Sequence, residues 1–241
     1  MTPFQLFGTH HQAAILVVAA VYIAVLTFAG RWANSRQRMT IAGGMGILLV
    51  VQEFSLHGYH LFAGTWNYRE ILPLHLCGFS VFLVAYTLFT RNPRVFEVVY
   101  FWGIAGATQS LLTPNLKVTF PHFLYFQYFT SHGLIILGVL YLIVTTGLRP
   151  SLRGLHKVYA LTAVAAAFVG LFNWLTGSNY MFLSEKPYGT NLTSLMAPWP
   201  WYIGQIAIIG LLNFYLLYVP YALVDLVRWR QGSKLAKPAT D

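Results

Sequence analysis

Seven apolar stretches constrain this 241-residue chain more than any other feature of its sequence. A helix needs about 20 mostly apolar residues to cross the hydrocarbon core of a bilayer. Loops rich in Arg, Asn, Pro and Gly separate these stretches. The pattern predicts an all-α, polytopic membrane protein whose residues 1–241 form a single seven-helix transmembrane domain. The predicted spans are about 12–30, 39–61, 72–90, 95–112, 123–146, 157–176 and 202–224.

The composition supports this class, because 57% of the residues are hydrophobic and only 9% are charged. An ordinary soluble domain is about 25% charged, and a disordered chain is poorer in apolar residues. A soluble globular protein and a disordered protein are therefore excluded.

The basic residues are divided unevenly between the loops. The chain carries 15 Lys and Arg against 6 Asp and Glu, a net charge of +9, which in a soluble protein would suggest a nucleic-acid partner. Here 12 of the 15 fall in loops 1–2, 3–4 and 5–6 and in a short basic tail, 228–241, and only Arg69, Lys117 and Lys186 fall on the other side. Because cytoplasmic loops are rich in Lys and Arg, we expect an outside N-terminus, a cytoplasmic C-terminus and no nucleic-acid partner. The short loops indicate a multi-pass protein of the bacterial inner membrane.

Polar side chains gather in the outer halves of the predicted spans, where their burial is costly and usually functional. The pattern predicts an outward-facing polar cavity. Glu53 and His57 are four residues apart and therefore share one face of helix 2, so His57 is the expected partner of the carboxylate. The candidate supporting or substrate-binding residues are Glu53, His57, His75, Gln109, Asn173, Asn179 and Tyr180.

The segment Leu72-Pro-Leu-His-Leu-Cys-Gly78 contains the only cysteine of the chain. Pro73 suits the first position of a helix with Leu72 as its N-cap, which places Cys77 just past the first turn, where the helix dipole favours a thiolate. His132 lies at a similar predicted depth on helix 5. A thiol beside an imidazole is the arrangement used for nucleophilic acyl transfer. From the residues alone, Cys77 fits better as an apolar packing residue, which is what free cysteines in membrane helices usually are.

Donors for the oxyanion of such a reaction are expected among three amide side chains of the outer half. They are those of Gln109, Asn173 and Asn179.

The whole chain resembles the YwaF-like family of integral membrane proteins. The resemblance rests on Leu72-Pro-Leu-His-Leu-Cys77, Ser131-His-Gly133 and Gly177-Ser-Asn-Tyr-Met181, in that order. That family is similar in turn to eukaryotic transmembrane protein 164, a transacylase that moves an acyl chain onto lysophospholipids through a cysteine thioester. The resemblance implies that Cys77 is the nucleophile and His132 the base. It also implies that membrane phospholipids or fatty acyl chains are the substrates and that no cofactor is needed.

Two other classes of function stay open at this point. The cavity would also suit a non-enzymatic transporter or receptor that binds a small molecule or a lipid. A metal-dependent enzyme would draw ligands from Glu53, His57, His60, His75 and His132, although their spacing matches no strong metal motif. A retinal protein is excluded, because residues 202–224 contain no lysine to form a Schiff base.

Overall fold

The computed structural model describes residues 4–187 and 192–235, which form helices and connecting loops without a β-strand. The prediction of an all-α protein is confirmed. Two short 3₁₀ helices, Tyr180–Phe182 and Leu192–Leu195, lie between the last two long helices. The long helices are α1 (Thr9–Arg31), α2 (Ser35–Phe62), α3 (Leu76–Thr90), α4 (Pro93–Leu112), α5 (Phe123–Thr146), α6 (Leu152–Thr176) and α7 (Trp201–Leu235).

Six of the seven helices are long and apolar enough to cross a membrane, which indicates a multi-pass membrane protein. The exception is α3, which has 15 residues. At 1.5 Å per residue it is about 22 Å long, shorter than the ~30 Å hydrocarbon core.

Several helix ends follow directly from local sequence. Asn34 caps α2 by accepting a hydrogen bond from Gln37 N, and the Gln37 side chain accepts in return from Asn34 N. Asn92 caps α4 by accepting hydrogen bonds from Arg94 N and Val95 N, with Pro93 in the first turn. Gly147 adopts the left-handed conformation that ends α5. These are standard capping arrangements, and they need no tertiary contact.

The predicted start of helix 3 is wrong. The helix begins at Leu76 with His75 as its N-cap, so neither Leu72 nor Pro73 belongs to it. Before the helix the chain folds back until Pro73 touches Gly78, where a Cβ atom would lie 2.7 Å from Pro73 Cα. Only glycine permits this approach. As a result, Cys77 lies in the first turn of α3 and not after it.

The last helix is longer than the predicted span 202–224, because α7 continues to Leu235. The first part of the predicted basic tail, 228–241, is therefore helical. Residues 236–241 lie outside the described part of the chain.

The core lies among α2, α3, α4 and α5, where small residues let the helices approach closely. A Cβ on Gly138 of α5 would lie 2.6 Å from a methyl group of Val84 on α3. A Cβ on Gly103 of α4 would lie 3.0 Å from Ile135. Close packing of this kind holds membrane helices together where the hydrophobic effect cannot. This packing fixes α3, α4 and α5, the three helices that carry the candidate site.

Candidate functional site

Cys77 is half-buried at the start of α3 and faces α4. Its Sγ lies 3.9 Å from Ser110 Oγ, and the Ser110 hydroxyl donates to Gly106 O. The thiol is therefore the donor in the contact with Ser110. A Cβ on Gly106 would lie 3.1 Å from Cys77 Sγ, so this glycine makes room for the sulfur.

Helix α5 brings His132 to the same region through Tyr128. The Tyr128 hydroxyl donates to Ser110 O at 3.1 Å, and the Tyr128 and His132 ring centroids are 4.3 Å apart. His132 Nδ1 lies 2.8 Å from Tyr128 O. A carbonyl oxygen only accepts, so Nδ1 carries the proton and Nε2 of the neutral ring has the free lone pair. Among the described residues, none forms a hydrogen bond with His132 Nε2, which leaves it available as a base.

Cys77 and His132 do not form a hydrogen bond with each other. They are connected through shared neighbours, because the thiol contacts Ser110, Ser110 accepts from Tyr128, and Tyr128 accepts from His132. Helices α3, α4 and α5 thus place the Cys77 thiol and the His132 imidazole beside the same two residues, Ser110 and Tyr128. Proton transfer from the thiol requires it to leave Ser110 and turn towards the imidazole.

His75 precedes α3 and is held by the segment after α6. Its Nδ1 accepts a hydrogen bond from Met181 N at 3.2 Å, and its ring packs against those of Tyr180 and Phe182. These contacts tie the start of α3 to the segment after α6.

Asn173 and Tyr180 position the backbone and do not contact the thiol. The Asn173 amide donates to Tyr180 O and accepts from Tyr180 N, which occupies both ends of the amide. The Tyr180 hydroxyl accepts from Leu72 N and donates to Tyr68 O. We call residues 177–182 the docking segment, because it fixes the chain that leads into Cys77. The role of Asn173 as an oxyanion donor stays a prediction, since these bonds use only one of its two amide N–H groups.

Gln109 and Asn179 also stay predicted oxyanion donors, although each has one amide N–H bonded elsewhere. Gln109 is exposed, and its amide donates to Thr113. Asn179 organises the following loop by bonding the backbone of Ser184 and Glu185. The donors close to the sulfur are the backbone N–H groups of residues 76–78. They have no hydrogen-bond partner among the described residues, as is usual at a helix start.

Glu53 and His57 form a separate cluster. Glu53 is buried, with Oε1 lying 3.9 Å from His57 Nε2. The Trp66 indole donates to His57 Nδ1 at 3.0 Å, so the proton of the neutral ring is on Nε2 and faces the carboxylate.

The five residues considered as metal ligands do not come together. In the described part of the chain, no group of three His, Cys, Asp or Glu side chains could hold a metal ion.

Two functional neighbours were not found from the sequence, namely Ser110 and Tyr128. The sequence held a signal for both residues. Ser110 follows Gly106 by four residues, and His132 follows Tyr128 by four residues, so the members of each pair share one helix face. The rotation of α4 and α5 about their axes, which the sequence pattern does not specify, decides whether those faces meet Cys77.

Comparison with known proteins identifies the family of the chain. The model of the TMEM164 family matches residues 6–218. The chain belongs to the TMEM164 family. The matched range includes Cys77, His132 and the docking segment, and the expected link to transmembrane protein 164 is confirmed. An uncharacterized protein of Treponema pallidum (strain Nichols) is 27% identical to this TMEM164-family chain over 222 residues, which is 90% of each chain. No solved structure matches the chain.

Proposed function

We propose that this TMEM164-family protein is a membrane-embedded lipid acyltransferase. Cys77 acts as the nucleophile and His132 as the base, and a fatty acyl chain passes from a phospholipid to a second lipid alcohol or to water. The observation that carries the proposal is the arrangement around Ser110 and Tyr128. There a half-buried thiol at a helix start shares its neighbours with an imidazole whose Nε2 is free.

The proposed topology has seven membrane crossings in the inner membrane of a bacterium, with the N-terminus outside and the C-terminus in the cytoplasm. The distribution of Lys and Arg between the loops supports this orientation. Arg91 caps α3 at the cytoplasmic end, 14 residues after Cys77. At 1.5 Å per residue the thiol is then about 21 Å above that boundary and ~9 Å below the outer edge of the hydrocarbon core. Cys77 therefore lies in the outer half, within reach of the ester bonds of outer-leaflet lipids.

The reaction proceeds in two balanced steps. His132 Nε2 takes the thiol proton, the thiolate of Cys77 attacks the ester carbonyl carbon, and the C–O bond breaks as the imidazolium returns the proton to the leaving alkoxide. A lysophospholipid leaves and a thioester stays on Cys77. The hydroxyl of the acceptor, deprotonated by His132, then attacks the thioester, and the sulfur leaves as a thiol with the proton from the imidazolium. This is nucleophilic catalysis with a single base serving both steps.

The first turn of α3 supplies the charge stabilisation for both steps. An oxyanion formed at Cys77 would lie close to the N–H groups of residues 76–78, at the positive end of the helix. This assigns to the backbone the role that was expected of amide side chains.

A groove next to the site offers a place for the acyl chain. It has a volume of about 240 Å³, lies between α1, α4 and α5, and is lined mainly by aliphatic side chains. Tyr22, one of its lining residues, donates to Gly133 O, which puts the groove at the level of His132. An apolar groove that is open to the lipid side suits a chain that enters from the membrane.

The test uses purified protein reconstituted in vesicles with an isotope-labelled phospholipid donor and a lysophospholipid acceptor. We expect Cys77→Ala to abolish transfer and His132→Asn to reduce it by about 10²–10⁴-fold, the usual contribution of a general base. The control is His156→Asn, since His156 contacts Tyr215 and lies far from Cys77 along the chain. Transfer that survives Cys77→Ala contradicts the proposal. Lipid binding without any transfer would instead identify a carrier.

A further inference from the structure

A second cavity lies at the opposite end of the helix bundle from Cys77. It has a volume of about 130 Å³, several times the space that one water molecule needs, and it opens where α2 begins and where α3 and α5 end. Its polar lining includes Ser35, Arg38, Arg91 and Tyr141. Nothing in the proposed acyl transfer uses these residues.

Arg38 has almost no hydrogen-bond partner for its guanidinium group. The buried Nε is the one side-chain nitrogen or oxygen among the described residues that is fully shielded and unpaired. A single long hydrogen bond, 3.4 Å, runs from a terminal nitrogen of Arg38 to Gly30 O. A guanidinium has five N–H donors, and buried donors without a partner destabilise the fold. The Arg38 side chain therefore keeps at least one shielded donor that no described residue accepts.

Arg91 faces the same cavity and also lacks a carboxylate. Among residues 4–187 and 192–235, ion pairs join only Glu53 to His57 and Asp225 to Arg149. Glu97, the acidic residue nearest to Arg91 in the sequence, bonds the backbone and hydroxyl of Ser151 instead. Arg38 and Arg91 thus bring two positive charges to one cavity, and no carboxylate of the described residues forms an ion pair with either of them.

The rest of the lining combines the hydroxyl side chains of Thr145 and Thr146 with apolar side chains, including those of Met39, Leu88 and Leu142. A cavity with two cations, several hydroxyl groups and apolar side chains on part of its wall fits a phosphate group that is attached to an apolar body. Arginine is the preferred residue for phosphate because its planar donors match two phosphate oxygens at once.

We propose that this cavity binds the phosphate group of an anionic phospholipid from the leaflet at this end of the bundle. In the proposed orientation this is the cytoplasmic leaflet. Free phosphate shares the chemistry of the headgroup, and the apolar part of the wall favours the lipid. The site is independent of the acyl transfer, because Arg91 lies about 21 Å from Cys77 along α3.

The experiment measures binding to the purified full-length protein in detergent with three probes. These are short-chain phosphatidylglycerol, short-chain phosphatidylcholine and inorganic phosphate. The variants are Arg38→Gln, Arg38→Lys and Arg91→Asn, and asparagine is chosen because Arg91 adopts a left-handed backbone conformation, φ 54°. Arg36→Gln and Arg94→Gln are matched controls that each remove one exposed charge close in sequence to Arg38 or Arg91, at residues that do not line the cavity.

We expect Arg38→Gln and Arg91→Asn to weaken phosphatidylglycerol binding by about tenfold each, the loss that corresponds to one charged hydrogen bond. The controls should change it less than twofold, and phosphatidylcholine should bind more weakly than phosphatidylglycerol throughout. Arg38→Lys keeps the charge, so a loss in this variant shows that the planar donors matter and not the charge alone.

If inorganic phosphate competes with the lipid probe and this competition requires Arg38, the ligand of the cavity is a soluble phosphate. It would bind by the same chemistry as the headgroup. Equal losses in the variants and in the controls, or no phosphate-dependent binding at all, would overturn the proposal. Binding of the probes in Cys77→Ala should equal that of the unmodified protein, which separates this test from that of acyl transfer.

Discussion

The substitution Gly106→Ala tests the candidate site without removing any of its functional groups. The new methyl group would lie 3.1 Å from Cys77 Sγ, closer than ordinary van der Waals contact, so the sulfur must move by a few tenths of an ångström. A displacement of 1 Å at a catalytic group costs about 10²-fold in rate, so this smaller shift should slow acyl transfer by about three- to tenfold.

The effect on stability should be small. Alanine in place of glycine inside a helix stabilises it by up to about 1 kcal/mol, which offsets the crowding at the sulfur. We therefore expect the free energy of unfolding to change by less than about 1 kcal/mol while the rate of transfer falls.

The matched control is Gly103→Ala on the same helix, where the methyl group would lie 3.0 Å from Ile135 instead. The assays are the initial rate of acyl transfer in vesicles and the unfolding of each variant in detergent. An unchanged rate in Gly106→Ala, or an equal loss in Gly103→Ala, would refute the assignment of Cys77 as the nucleophile.

Three further predictions concern the surroundings of the site. Tyr180→Phe removes the hydroxyl that fixes the chain before α3 and should lower the free energy of unfolding by about 1–3 kcal/mol, measured by denaturation in detergent. His75→Ala removes the ring that accepts from Met181 N and should lower the free energy of unfolding by about 1–3 kcal/mol in the same denaturation assay. Ala19→Trp should fill the apolar groove and slow transfer of long acyl chains more than short ones, whereas Ala20→Trp on the outer face should not.

The sequence was sufficient to predict that the helices exist, because the signals that define them are local. Long apolar runs and the capping residues at Asn34 and Asn92 define helices without reference to the rest of the chain. The start of α3 was not predictable in this way, because it depends on the contact between Pro73 and Gly78 and on the hydroxyl of Tyr180, which is more than a hundred residues away.

The same distinction applies to the candidate site. Cys77 and His132 were selected by residue type and depth, which the sequence displays. Asn173 also has a suitable side chain at a suitable depth, yet both ends of its amide bind the backbone of Tyr180. Which polar groups are free to act is decided by their partners in three dimensions.

The chemistry proposed here depends on one covalent intermediate, and intact-protein mass spectrometry detects it directly. The purified protein is incubated with a phospholipid donor and no acceptor, so that the acylated form accumulates. Because Cys77 is the only cysteine of the chain, a thioester can form at no other residue. The account predicts a mass increase of one acyl group that neutral hydroxylamine removes and that Cys77→Ala lacks. Acyl transfer that proceeds without this adduct, or an adduct that persists in Cys77→Ala, would contradict it.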